Sequence, residues 1–294
     1  MDSKTQTIPS WLRRHLPSKS AEPTRALLQD LNLNTVCHEA RCPNLQECWS
    51  QKTATFMVAG RLCTRACSFC SIETRRPQEL EVDEPERVAE AAFRMGLQHV
   101  VVTMVARDDK ADGAAEHVAK TVAAIRQRNP HASIEVLTSD FQEKTESLRT
   151  VCTAGPDVFN HNIETVRRLT PEVRSRSEYD RTLRVLQWVH DSYPQIKTKS
   201  GIMLGFGEHE EEVLEALKDL RSVGVQMITI GQYLKSDVKN RPVAEFIPPE
   251  KFSFYEKEGY KLGFLEVASG PFVRSSYNAR ESFLKVSASG TNSR

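Results

Sequence analysis

From Thr53 onward, short runs rich in β-branched residues alternate with amphipathic stretches of helical period, a pattern that few architectures can satisfy. Strands are expected at 55–59, 98–103, 133–138, 157–160, 199–204 and 226–230. Helices are expected between them at 85–95, 114–127, 143–152, 178–190 and 210–223, each with apolar residues three and four apart. Strands joined through helices pair in parallel and are covered on the helical side. The expected fold is therefore α/β, a partial (β/α)6 TIM-type barrel, open or incompletely closed.

By the same pattern the chain divides into an N-terminal extension at 1–52, the barrel core at 53–232 and a C-terminal segment at 233–294 that closes the site. In the extension Pro9, Pro17, Pro23 and Pro43 interrupt short helical stretches such as 24–31. The C-terminal segment turns through Pro242, Pro248 and Pro249 into a helix at 249–259, then becomes irregular, with a tail expected to be disordered after about Val286. A length of 294 residues, 39% of them hydrophobic, suffices for one sizeable core. The formal net charge of +1 supplies no global field to gather nucleic acid. No apolar run reaches the roughly 18 residues of a membrane span, and the residues before Pro9 lack a signal's apolar core. The expectation is a cytoplasmic enzyme of bacterial type, bound to neither membrane nor nucleic acid.

Six of the seven cysteines fall between Cys37 and Cys70, a clustering that points to metal ligation rather than to disulfides. Cys63, Cys67 and Cys70 follow the first expected strand, which places three thiols in one loop at the carboxyl end of the barrel, where such folds carry their active sites. Three soft thiolates can hold three irons of a cubane cluster and leave the fourth open to an external ligand. A structural zinc site is the alternative, but it closes with four ligands and no histidine stands nearby. Cys37, Cys42 and Cys48 form a second triplet that again leaves one position unfilled. Spacing alone does not separate a cluster that staples the extension or relays electrons from one that reacts. Cys152, in a helical stretch, is expected to be a small buried hydrophobe.

The second triplet, with Phe69 before its last cysteine, resembles the radical S-adenosylmethionine (SAM) superfamily, and Gly201-x-Met203-x-Gly205-x-x-Glu208 looks like that superfamily's adenine-contacting strand. The two triplets in this order, Phe159 to Val166, Thr198 to Gly205 and Arg274-Ser275-Ser276-Tyr277 together resemble the lipoyl synthase family from about Pro9 to Tyr277. The resemblance implies two 4Fe-4S clusters: one on Cys63, Cys67 and Cys70 that binds SAM, and an auxiliary one on Cys37, Cys42 and Cys48 with Ser276 as fourth ligand. It implies SAM contacts from Phe69, Gly201, Met203 and Glu208. Asn160, Asn162 and Glu164 end the fourth expected strand, where they could hold methionyl or other cofactor and substrate polar groups or, equally, form a turn with Glu164 as a helix-start charge. The implied reaction is insertion of two sulfur atoms at C6 and C8 of an octanoyl-lysine, with the auxiliary cluster sacrificed as sulfur source. A hard serine oxygen among soft thiolates suits a cluster meant to be broken. The implied partners are octanoylated lipoyl carrier domains, namely the E2 subunit of 2-oxoacid dehydrogenases or the glycine cleavage H protein, and an electron donor such as ferredoxin or flavodoxin.

The sequence departs from the family's pattern at Ala106, where a polar residue is usual, and at Arg241, near which a histidine often stands. Arg167, Arg168, Arg174, Arg176 and Arg181 could dock an acidic carrier domain, but such a run is read first as a solvated, ion-paired helix face. Other sulfur insertions, as in biotin synthase or a tRNA methylthiotransferase, and a non-enzymatic iron-sulfur carrier are the competing readings. The first triplet argues against biotin synthase, the near-neutral charge against tRNA, and the amount of barrel scaffold against a carrier.

Overall fold

The computed structural model describes residues 8–13, 20–51 and 53–289. Among them the strands are β1 (Asn34–Thr35), β2 (Thr55–Val58), β3 (Leu62–Cys63), β4 (Glu73–Thr74), β5 (His99–Met104), β6 (Ser133–Leu137), β7 (Val158–Asn160), β8 (Lys197–Leu204), β9 (Met227–Gln232) and β10 (Glu266–Gly270). The helices are α1 (Glu22–Asp30), α2 (Val36–Glu39), α3 (Leu45–Ser50), α4 (Glu84–Met95), α5 (Ala115–Arg128), α6 (Thr145–Thr153), α7 (Thr170–Val173), α8 (Tyr179–Ser192), α9 (Glu210–Ser222), α10 (Pro249–Leu262) and α11 (Ala279–Ser289).

The main sheet runs β1-β2-β5-β6-β7-β8-β9-β10, parallel throughout except for β1 against β2. Its ends do not pair with each other, so the sheet is an open barrel. Strand period 2 sorts the side chains. Phe56, Val58, Val100, Val102, Ile134, Val136, Phe159, Ile202 and Ile228 point outward into one core shared with the helices. The alternating residues point inward, and the register aligns Val101, Glu135, Val158 and Lys197 in one row and Thr103, Leu137, Asn160, Lys199 and Met227 in the next, with the Gly201–Thr229 pair beyond it. The carboxyl ends of these strands therefore open on one interior.

The six expected strands are all present, and each expected helix has its counterpart within a few residues. The C-terminal segment is more regular than expected. After α10 it adds β10 as a further parallel strand beside β9, and α11 continues to Ser289, past the point where disorder was expected; residues 290–294 lie outside the described residues. β10 escapes sequence reading because Glu266-Val-Ala-Ser-Gly has little β-branched character and its last residues are only half-buried. α11 packs beneath the barrel, where Val286 joins Val158 and Met227 and the Phe283 ring lies 5.6 Å from that of His99. No helix among the described residues is long and apolar enough to cross a membrane.

Candidate active site

β2 delivers the second cysteine triplet. At its end Ala59 and Gly60 both take positive φ, 65° and 87°, and turn the chain outward. Buried groups clamp that turn: Ala59 N–H donates to Glu84 Oε2 at 2.8 Å, and Arg107 Nη1 donates to the Ala59 carbonyl at 3.0 Å. The loop returns through the small parallel pair β3–β4. Within it the buried Arg65 donates to both oxygens of Asp108 at 2.8 Å and to Asp140 Oδ1 at 2.6 Å, a bidentate geometry that fixes the loop's orientation. Arg65 and Asp140 carried no signal of their own beyond the position of Arg65 inside the triplet. Burial works to raise Asp140's carboxyl, but Arg65 together with the Gln142 N–H and other neighbours holds it well below its usual range.

Cys63, Cys67 and Cys70 face a cavity of about 720 Å³ at the carboxyl end of the barrel. None is in a disulfide. Burial pushes the Cys70 thiol up to about 12 and raises that of Cys67, so ionising either thiol calls for a compensating positive charge.

The first triplet approaches the same cavity from the extension. Thr35 caps α2 by accepting from His38 N–H at 3.3 Å, which orients the buried Cys37. Cys37 and Cys42 line the cavity, while Cys48, on α3, packs behind them against the main core. Ser276 lines it too, held at 2.8 Å by the Thr55 hydroxyl, and Thr55 also contacts Cys37. Two further bonds join these distant segments: Asn44 Nδ2 donates to the Phe272 carbonyl at 2.8 Å, and the Tyr277 hydroxyl donates to Glu47 Oε1 at 3.3 Å. Residues 272–277 thus tie the C-terminal side of the open barrel to its N-terminal side.

β7 and β8 build the remaining wall. Glu164 takes φ 66° and bridges to β8, accepting from Met203 N–H and donating its own N–H to the Gly201 carbonyl, both at 2.9 Å. A Cβ at Gly201 would lie 2.6 Å from Thr229 Oγ1 and 2.8 Å from Asn162 Oδ1, so only glycine leaves that wall flat. Asn162 Nδ2 donates to Ser275 Oγ at 2.7 Å and to Glu164 Oε1 at 3.1 Å, while its buried Oδ1 has no partner. Burial raises the Glu164 carboxyl and lowers the Arg174 guanidinium, which lies close enough for each to oppose the other's shift. Phe69 and Met203 also line the cavity. His161 is engaged at both ring nitrogens, by the Thr138 carbonyl and Thr182 Oγ1, and burial pushes it down to about 4, so it is neutral.

Three expectations need correction. Glu208 does not join the cavity lining; its carboxylate turns back to accept from Gly205 and Phe206 N–H, because the positive φ of Gly205, 113°, aims those amides at it. Asn160 lies below the cavity, donating to Glu135 Oε1 at 3.1 Å. Arg174, read within a solvated run, is buried and faces the cavity. Arg167 and Arg168 fit the solvated, ion-paired reading, meeting Asp180 and Glu212, while Arg181 pairs with the buried Asp140. Ala106 lines the cavity and Arg241 pairs with Glu172, so the first departure from the family pattern touches the site and the second does not. Cys152 is buried, its thiol pushed up to about 12 by burial, as a structural cysteine requires.

The residues present fit the implied groups. No three His, Cys, Asp or Glu side chains among the described residues converge as a single bound ion demands, whereas Cys63, Cys67 and Cys70, and Cys37 and Cys42 with Ser276, line a cavity of about 720 Å³ with room for polynuclear clusters. A buried acid, a buried guanidinium and an unpartnered amide oxygen beside Cys67 suit a zwitterionic, hydroxyl-bearing ligand.

Residues 57–220 match the radical SAM superfamily. The solved structure of methylornithine synthase superposes with a TM-score of 0.55 at 14% identity, over 87% of this chain and 82% of that one, and the hydrogenase maturase HydG with 0.52 at 13% identity, over 91% and 75%. Lipoyl synthase of Caldanaerobacter subterraneus subsp. tengcongensis is 52% identical over 271 residues, 92% of this chain and 95% of its relative. Lipoyl synthase of Thermus thermophilus is 50% identical over 281 residues, 95% and 87% of the two chains. A barrel with Cys37, Cys42, Cys63, Cys67, Cys70 and Ser276 at one cavity, matched at this identity over nearly its whole length, belongs to the lipoyl synthase family of radical SAM enzymes.

Proposed function

We propose that Cys63, Cys67 and Cys70 hold the SAM-binding 4Fe-4S cluster, that Cys37, Cys42, Cys48 and Ser276 hold the auxiliary one, and that the cavity between them receives an octanoyl-lysine of a lipoyl carrier domain. The observation that carries this reading is the convergence of Cys37, Cys42 and Ser276 with Cys63, Cys67 and Cys70 on one cavity, although Ser276 comes from the far end of the chain. When bound, the reduced cluster and SAM supply a 5'-deoxyadenosyl radical, and the auxiliary cluster is consumed as the sulfur substrate.

The chain's own residues position and exclude. Asn162 and Glu164 receive hydroxyl or ammonium groups of SAM, and Arg174 its carboxylate; Gly201 keeps the wall flat for the adenosyl group, with Phe69 and Met203 beside it. Met57, Ile72, Val105 and Leu12 give the cavity the apolar surface an eight-carbon chain needs. Hydrogen abstraction needs no base, and His161 is held by hydrogen bonds at both ring nitrogens. The macromolecular partners on this reading are octanoylated E2 or H-protein domains and a ferredoxin or flavodoxin in the cytoplasm. The extension at 1–52 acts as the carrier of auxiliary-cluster ligands and the segment at 233–294 as the closure.

The test is anaerobic reconstitution, a count of iron and sulfide, and mass spectrometry of an octanoyl-lysine peptide after SAM and reductant are added. A two-sulfur mass gain with 5'-deoxyadenosine is expected. Deoxyadenosine without sulfur transfer, in protein holding both clusters, overturns the substrate assignment.

A further inference from the structure

Among the described residues, no backbone hydrogen bond joins the loop of Cys37 and Cys42 directly to the loop of Cys63 to Cys70. A third segment stands between them. After β9, residues 235–241 run along the rim of the cavity, and their polar groups reach both loops.

Asn240 is the hub. It is 4% exposed, and its side chain is satisfied entirely by this junction. Nδ2 donates to the Cys70 carbonyl at 2.9 Å and the Ser68 carbonyl at 3.4 Å. Oδ1 accepts from Ser71 Oγ at 3.2 Å and Ser236 Oγ at 3.4 Å, and those two hydroxyls also bond each other. Arg241 N–H adds a bond to the Ser68 carbonyl at 2.9 Å. At the other end Arg41, the residue before Cys42, donates from Nη1 to the Ser236 carbonyl at 3.0 Å and pairs with Asp237 at 3.4 Å. Arg41 takes φ 49°, so its backbone is turned to present that side chain.

We infer that residues 235–241 are a positioning strap, centred on Asn240 and anchored by Arg41, that sets the spacing between the two cysteine loops and so couples radical formation to sulfur insertion. The inference deepens the proposed function and rests on it for its catalytic readout. The physical need is plain: a carbon radical formed at one side of the cavity must meet sulfide at the other before anything else quenches it, and a misplacement of ~1 Å can cost on the order of 100-fold in rate. Each loop is fixed to the barrel by its own bonds. Beside the β1–β2 pairing at their base, the strap is a hydrogen-bonded route at the cavity rim along which one loop registers the other.

The test cuts the strap at either end. Arg41 is largely exposed, so Arg41→Ala folds; Asn240→Ala is the inner cut. In apo-protein, hydrogen exchange of amides 38–48 is expected to quicken in Asn240→Ala, although Asn240 touches none of them. In reconstituted protein with wild-type iron and sulfide, each variant is expected to form roughly ten-fold or more 5'-deoxyadenosine per sulfur inserted than wild type. The double variant should be no worse than the poorer single, because both cut one route. Exchange at 38–48 unchanged in Asn240→Ala overturns the strap whatever the substrate proves to be. So does a wild-type product ratio in both variants, or losses that multiply in the double. Iron lost from the Cys63 to Cys70 site in Asn240→Ala would reduce Asn240 to a local support of that loop.

Discussion

Beneath the cavity lies an ion pair whose removal has a calculable cost. Lys199 Nζ sits 2.8 and 3.0 Å from the two oxygens of Glu135, with the side chains 1% and 0% exposed. Asn160 donates to the same carboxylate, and His99 Nε2 stands 3.6 Å from it. Although burial works to raise it, the Glu135 carboxyl is brought down from 4.5 to about 2, chiefly by Lys199. That fall corresponds to about 3 kcal/mol of stability at neutral pH. Lys199→Met leaves the carboxylate buried with only neutral or weak partners, for which about 3–5 kcal/mol is the usual loss. In a chain of this size the thermal midpoint should drop on the order of 10 °C. Because the cost is a stranded charge rather than lost packing, Glu135→Leu with Lys199→Met should recover most of it.

The sign of the pH dependence gives a second handle. A depressed carboxyl contributes stability fully present above 4.5 and lost as pH falls through about 2. In Lys199→Met the carboxyl is raised instead, so its penalty is relieved as pH falls. The stability gap between the two proteins should narrow as pH is lowered from neutral toward 4.5, measured by anaerobic thermal melts followed by circular dichroism. A single variant within about 0.5 kcal/mol of wild type, as for a surface change, refutes the reasoning. So does a double variant no more stable than Lys199→Met, or a gap that widens on acidification.

The active site makes sharper claims about chemistry. Cys67→Ala should abolish SAM cleavage, whereas Cys42→Ala should cleave SAM and insert no sulfur; equal behaviour, with iron counted, contradicts the division of labour. Ser276→Ala should behave like Cys42→Ala and bind less iron at the auxiliary site, and a wild-type sulfur yield removes Ser276 as a ligand. Gly201→Ala must push its Cβ against Thr229 and Asn162, and overpacking of about 1–3 kcal/mol should weaken SAM binding roughly ten-fold, read by equilibrium binding to reconstituted protein. Unchanged affinity would place the adenosyl group elsewhere.

What the chain revealed in sequence and what it withheld divide along a physical line. Barrel strands announce themselves because both faces are buried, so Phe56 to Val58 or Val100 to Val102 read as unbroken apolar runs. The cysteine triplets are legible because their members lie within a few residues of one another, and soft thiols at short spacing have few uses besides metal binding in such a chain. Arg174 was misread because neighbouring arginines do sit on a solvated face, and a single buried member of a charged run leaves no periodic trace. The local engagement of Glu208 was not legible either: the backbone amides at Gly205 and Phe206 satisfy its carboxylate just past the end of β8, which a spacing motif does not reveal. Asn240, Thr55 and Asn44 were invisible, since each acts on a segment about 170 to 230 residues away, and a hydroxyl or amide paired at that distance looks like any surface polar residue. The same logic explains why the Ser276 segment carried no signal by itself. Its meaning comes from closing an open barrel, where Thr55 and Glu47 on one side meet Ser276 and Tyr277 from the other, so Ser276 reaches the cavity of the cysteines only once the chain's two ends have met.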